Sequence, residues 1–247
     1  AQNKIGASSI LFDGTGDYLT LPKTDDWQWA DDFTIETWFY LNAPIQRGAF
    51  FSTSLEDSAT SSIGIMFDTG DNKVTVQIRG ADGVNKVIQS AVLSTGQWYH
   101  TALVRSGTAS GNTKIYLDGV VLGTTQTVLG AIKFPSTIAK IGRSREDASP
   151  VTFFKGYMDE FRISDSARYT ADFTPSTTAF TRDDNTKLLI HSDTTNTLTQ
   201  VAQGTGTAIG DMTGSGGLAS VFDGVTNQGS GSIAYLNAAS GFVGKDW

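Results

Sequence analysis

Three stretches of this chain gather carboxylates in a way that could hold a hard cation. "FDGTGDY" carries Asp13 and Asp17 around Gly16, "DDWQWADD" carries Asp25, Asp26, Asp31 and Asp32, and "FDTGDN" carries Asp68 and Asp71. Calcium takes clustered carboxylates together with backbone carbonyls, which Gly-rich loops expose. None of the three stretches has the ligand spacing of an EF-hand loop. The second also holds Trp27 and Trp29. An indole in so polar a loop is either a platform for the apolar face of a sugar or a lid over the edge of a core. Arg143, Arg145 and Glu146 lie in a further long loop, "GRSREDASPVTFF", and could bind hydroxyls or acidic sugars, although a solvated loop is the default.

Hydrolysis has less to work with. There is no Cys, and no Ser stands in a G-x-S-x-G elbow. A glycosidase needs two carboxylates flanking one bond. Asp159 and Glu160 in "MDEF" are adjacent, and successive side chains of a strand point to opposite faces, so this pair is not expected to share a substrate. Glu36 and Glu160 could meet only through the fold. His191 falls in a short strand with no partner in its vicinity. The reading is a protein that is not an enzyme.

The elements that must position these groups are strands. In "FTIETWFYL", Phe33, Ile35, Phe39 and Leu41 share one side, and Thr34, Glu36, Trp38 and Tyr40 the other. "KVTVQIR", "QWYHTALVR" and "KGYMDEFRIS" read as further strands. "TKIYLDGVVLG" is a hairpin, because Asp118-Gly119 between two apolar runs suits a two-residue primed turn. Trp38 and Trp98 fall on strands and are expected in the core. Only "SDSARYTADF" offers a short turn of helix. Roughly a dozen strands up to residue 192 exceed what one open sheet holds without splitting. The expected fold is all-β, a two-sheet antiparallel jelly-roll sandwich.

Of residues 194–217, 14 of 24 are Gly, Thr or Ser, which reads as linker or loop. The chain is therefore divided into a jelly roll (1–192), a Gly/Thr-rich linker (193–218) and a β-rich piece (219–247) with too few apolar residues for its own core. The net charge of -7 argues against nucleic acid, which wants a basic stripe. No run of about 18 apolar residues is present to span a membrane. "AQNKIGASS" lacks the apolar centre of a signal peptide.

Six segments in order resemble a laminin-G-like, concanavalin-A-like jelly roll over about residues 5–180. They are "SSILFDGTGDYLTLP", "FTIETWFYL", "GQWYHTALVRSG", "TKIYLDGVVLGT", "KIGRS" and "FKGYMDEFRISDSARYTADFTP". The resemblance implies a structural role for His100. It also implies a structural calcium in which Asp159 is the matching strand residue and Asp13 and Gly16 are its loop partners. The plainer alternative is that Asp13 makes a turn and Asp159 caps hydrogen bonds. "TKLLIHSD" is expected to fill a sheet edge from the C-terminal side. "ARYTADFTPST" followed by "DDNTKLLIHSD" is similar to versions in bacteriophage tail and other virion proteins. "ASVFDG", which repeats the first FDG, is more similar to the start of a discoidin-like module, and the tail is either such a module cut short or an arm. The implied function is a non-catalytic virion-associated structural or adhesion module, extracellular or on the particle. Its partners would be other virion proteins, further copies of itself and cell-surface glycans. A stand-alone secreted lectin is the alternative, and a glycan-cleaving enzyme the third.

Overall fold

The structure is a computed structural model that describes residues 2–21, 29, 31–43, 47–53, 62–68, 72–132, 139–144, 151–192, 207–208, 232–233 and 235–236. Each period-2 segment forms a strand. The first sheet takes β1 (Ile10–Asp13), β3 (Phe33–Leu41), β8 (Trp98–Arg105), β9 (Thr113–Leu117), β10 (Val120–Gln126), β12 (Lys155–Ser164) and β13 (Thr186–Ile190), in the order β1-β12-β3-β8-β9-β10 with β13 also on β12. The second sheet holds β2 (Leu19–Leu21), β4 (Gly48–Ser52), β5 (Ser62–Asp68), β6 (Lys73–Arg79), β7 (Asn85–Gln89) and β11 (Ala139–Ile141), and ends on a two-residue strand from the tail. All pairings within these two sheets are antiparallel. No helix occurs among the described residues, and "SDSARYTADF" is irregular chain rather than a helical turn.

One continuous core lies between the sheets. Phe33, Ile35, Phe39 and Leu41 of β3 point into it, as their alternation requires, against Ile63, Ile65 and Phe67 of β5. Asp118 and Gly119 both have positive φ, 49° and 82°, which is the primed turn read from the sequence. Of the tail, β14 (Thr207–Ala208) pairs in parallel with β15 (Ser232–Ile233), and β16 (Tyr235–Leu236) pairs with Leu19 and Thr20 at the edge of β2. The rest of the stretch called linker and C-terminal piece lies outside the described residues.

β12 is bordered by β3 along one side and by β1 then β13 along the other. "TKLLI" therefore does fill that edge from the C-terminal side. The register of β12 on β3 jumps between Asp159 and Arg162, so two residues of β12 oppose Thr37 alone. This is a β-bulge, and Glu160 takes a φ of 51° within it.

The outer face of the first sheet is not open to water. An irregular strap, residues 165–183, crosses it. Its aromatic groups Tyr169 and Phe173 stack at 3.5 Å and pack over Ala102, Val104 and Tyr116. Phe180 joins Ile5, Trp38 and Leu189 in a second small cluster. Beneath the strap sits Glu36, whose side chain is wholly buried. It accepts hydrogen bonds from Arg162 Nε at 2.8 Å and from the Tyr169 hydroxyl at 2.8 Å, and it lies 3.2 Å from His100 Nε2. Burial by itself would push the Glu36 carboxyl up. The close approach of His100, the charge of Arg162 and the Tyr169 hydroxyl outweigh it and hold the carboxyl below its ordinary value. Tyr169 is correspondingly pushed up, by burial first and by Glu36 next, so its phenol stays a donor.

Two expected outcomes follow. Glu36 contributes stability that is present above the ordinary carboxylate value of 4.5 and is lost as pH falls below it. Glu36→Gln should therefore lose stability at neutral pH, toward the about 3–5 kcal/mol typical of breaking a buried pair, and should show a shallower acid loss. Urea denaturation across pH 3–7 checks both, and parallel acid limbs would refute the assignment. At the hairpin, a Cβ on Gly119 would collide with the carbonyl oxygen of Phe173, whose N–H donates to Gly119 O at 2.9 Å. Gly119→Ala should cost more than about 1 kcal/mol and expose the strap to proteolysis between 165 and 183.

Candidate functional site

Asp13, Asp17, Asp159 and Glu160 are engaged by groups of the fold, while Asp25, Asp26 and Asp71 lie outside the described residues. Asp159 is buried, and its Oδ2 accepts the backbone N–H groups of Lys4 and Ile5 at 3.0 Å each. It thereby fastens the N-terminal segment over Trp38, whose ring also carries Lys4 Nζ at 4.1 Å. Glu160 accepts the N–H of Phe180 at 2.7 Å and lies 2.8 Å from His191 Nδ1. His191 thus has a partner that the sequence did not reveal. The alternation that was to send Asp159 and Glu160 to opposite faces is overridden by the bulge, and both carboxylates serve the cluster on the outer face.

Asp13, Gly16 and Asp159 do not come together as one calcium site. Asp13 pairs with Lys155, and Asp159 stands four residues farther along β12, so the two are about 13 Å apart along the ladder. Calcium ligands sit at about 2.3–2.6 Å from the ion. Asp13 Oδ1 instead accepts Thr15 N at 2.7 Å and Thr15 Oγ1 at 2.9 Å, and the Asp13 N–H donates to Asp17 Oδ2 at 3.0 Å. This is an Asx turn, helped by positive φ at Gly14 and Gly16. Among the described residues, no three His, Asp or Glu side chains converge on one point.

Trp29 is a lid. It is buried, stacks on Phe33 at 4.7 Å, and exchanges backbone hydrogen bonds with Ile132 at 2.9 and 2.8 Å, so it offers no face to a sugar. Trp27 and Arg145 lie outside the described residues. Trp38 is buried as expected, although in the outer cluster rather than between the sheets, while Trp98 remains half-buried.

Arg143 does reach other candidate groups. Its guanidinium lies 4.8 Å from the centre of the Tyr18 ring and 5.7 Å from that of Phe153. The two rings are 6.2 Å apart, and all three side chains are half-buried. Backbone geometry positions them. Phe154 N donates to Gly142 O and Ser144 N to Thr152 O, both at 2.8 Å, so Arg143 and Phe153 stand opposite each other in a short bridge. Tyr18 follows the Asp13–Asp17 turn directly. The result is a rim where the first hairpin meets the start of β12. It presents two aromatic surfaces and a fixed guanidinium, a combination that suits the apolar face and the hydroxyls of a sugar. Arg143 was singled out in the sequence from its loop. Tyr18 and Phe153 were not, because nothing in a single sequence shows that two aromatic residues 135 positions apart share a rim.

Comparison with known proteins bears on the fold. No curated protein matches the sequence. Among solved structures, a candidate carbohydrate-binding protein from Bacteroides ovatus ATCC 8483 superposes with a TM-score of 0.58 at 18% identity, covering 78% of this chain and 53% of that one. The CBM40 of a Ruminococcus gnavus IT-sialidase, bound to α2,3-sialyllactose, gives 0.50 at 14% identity, covering 68% and 95%. A heptameric SAP-like pentraxin from Limulus polyphemus gives 0.48 at 20% identity, covering 69% and 81%. At these identities the likeness is one of fold. The Laminin_G_3 family model matches residues 13–173, most of the sandwich, and the chain belongs to that family of the concanavalin A-like lectin/glucanase superfamily.

Proposed function

We propose that this chain is a non-catalytic module that binds glycans at the rim formed by Tyr18, Arg143 and Phe153. The observation that carries the reading is the cluster itself, a guanidinium beside two neighbouring half-buried rings at 4.8 and 5.7 Å. The concanavalin A-like fold, with carbohydrate-binding modules among its structural neighbours, supports the same role. Glu36, Asp159 and Glu160 are buried and engaged by other groups of the protein, so none of them is free to protonate or attack a glycosidic bond. The setting we favour is an adhesion module on a virion. It is supported by the resemblance of "ARYTADFTPST" and "DDNTKLLIHSD" to virion proteins.

A glycan array followed by calorimetry tests the proposal. Wild type should bind at least one neutral or acidic glycan and return it uncleaved. Arg143→Ala and Tyr18→Ala should each weaken binding about tenfold, the scale of one cation–π or stacking contact, with an unchanged melting temperature. Absence of binding across the array, or release of shortened products, would overturn it.

A further inference from the structure

On the outer face Phe180 of the strap covers Trp38 together with Ile5 and Leu189, and Trp98, in the next row, packs half-buried against the margin of that cluster. There Trp98 of β8, Tyr40 of β3 and Tyr157 of β12 stand opposite one another in register. The Tyr40 ring lies 5.6 Å from Trp98 and 5.9 Å from Tyr157, at steep angles to both. All three are half-buried, so the row is a shallow ridged strip and not a filled core. It contains no charge, and each ring has a polar tip, two phenols and an indole N–H.

Alternation leads from this strip toward the rim. Alternation along the start of β12 puts Phe153, Lys155 and Tyr157 on one side, while Phe154 and Met158 enter the core. Phe153 belongs to the rim and Tyr157 to the strip. The distance between them is about 13 Å of extended chain, with Lys155 midway as a donor.

We propose that rim and strip form one extended binding track, and that the ligand is a chain of several sugars. The rim holds one ring through Arg143, and the strip holds the following rings by stacking on Tyr157, Tyr40 and Trp98. The proposal rests on the glycan reading and deepens it. An uncharged aromatic strip continuous with a sugar-sized rim suits a neutral oligosaccharide backbone rather than a second protein chain, for which three half-buried rings are too small an area.

Neutral gluco-, manno- and galacto-oligosaccharides of one to six sugars test it by calorimetry. In the series that binds, wild-type affinity should rise about tenfold or more with length, as successive rings reach the strip. Tyr157→Ala and Trp98→Ala should flatten that rise and leave the shortest ligand unaffected, while Tyr157→Phe and Trp98→Phe should retain it. Arg143→Ala should weaken every length equally. Length-independent affinity in wild type, or a full length dependence in both Ala variants, overturns the track and leaves the rim reading standing. A change in sedimentation of the Ala variants without a change in the length dependence would assign the strip to a second copy and overturn it too. Failure of every series in wild type together with an empty array removes both readings.

Discussion

A carboxylate withdrawn from water is tolerable only where its charge is met from several sides, and Glu36 is met from three. His100 comes from β8, Arg162 from β12 and Tyr169 from the strap. These groups are far apart in the chain, so satisfying one acid requires three strands and an irregular segment to be correctly placed together. Such a pair gives little net stability relative to an apolar replacement, but it is costly to break in half. Its effect here is one of placement. The strap cannot shift along the sheet without abandoning Glu36.

That fastening determines where function can reside. Most of the outer face of the first sheet is sealed by Tyr169, Phe173 and Phe180, and the N-terminal segment closes the area around Trp38 through Asp159. Further bonds hold the strap at its ends. Arg168 makes a two-pronged contact with Asp183 at 2.9 and 2.7 Å, which holds the Asp183 carboxyl well below the usual range. Among the described residues near this face, the end of the sandwich where β12 begins and the row of Trp98, Tyr40 and Tyr157 keep half-buried aromatic side chains.

The bulge in β12 connects the two roles. By placing two residues opposite Thr37, it lets Asp159 and Glu160 both serve the outer cluster, one holding Lys4 and Ile5, the other Phe180 and His191. Beyond the bulge β12 changes its outer neighbour from β1 to β13. Before the bulge the strand is regular, and that regularity aligns Phe153, Lys155 and Tyr157 along one side.

The sequence by itself determined the elements and the fold class, because strand formation and the burial of one face depend on period and turn chemistry, both local properties. "FTIETWFYL" and the Asp118-Gly119 hairpin needed nothing beyond their own residues. It also placed Arg143 in a loop between strands. The tertiary structure alone decided which groups meet. Register placed Asp13 and Asp159 four residues apart along β12, and the pairing of Glu160 with His191 arose from a bulge that alternation cannot anticipate. Trp29 became a lid because Phe33 and Ile132 close over it. The rim of Tyr18, Arg143 and Phe153 and the strip of Trp98, Tyr40 and Tyr157 depend on strand order across the sheets. Strand order reflects the global entropy and packing of the chain, and no short stretch of residues encodes it.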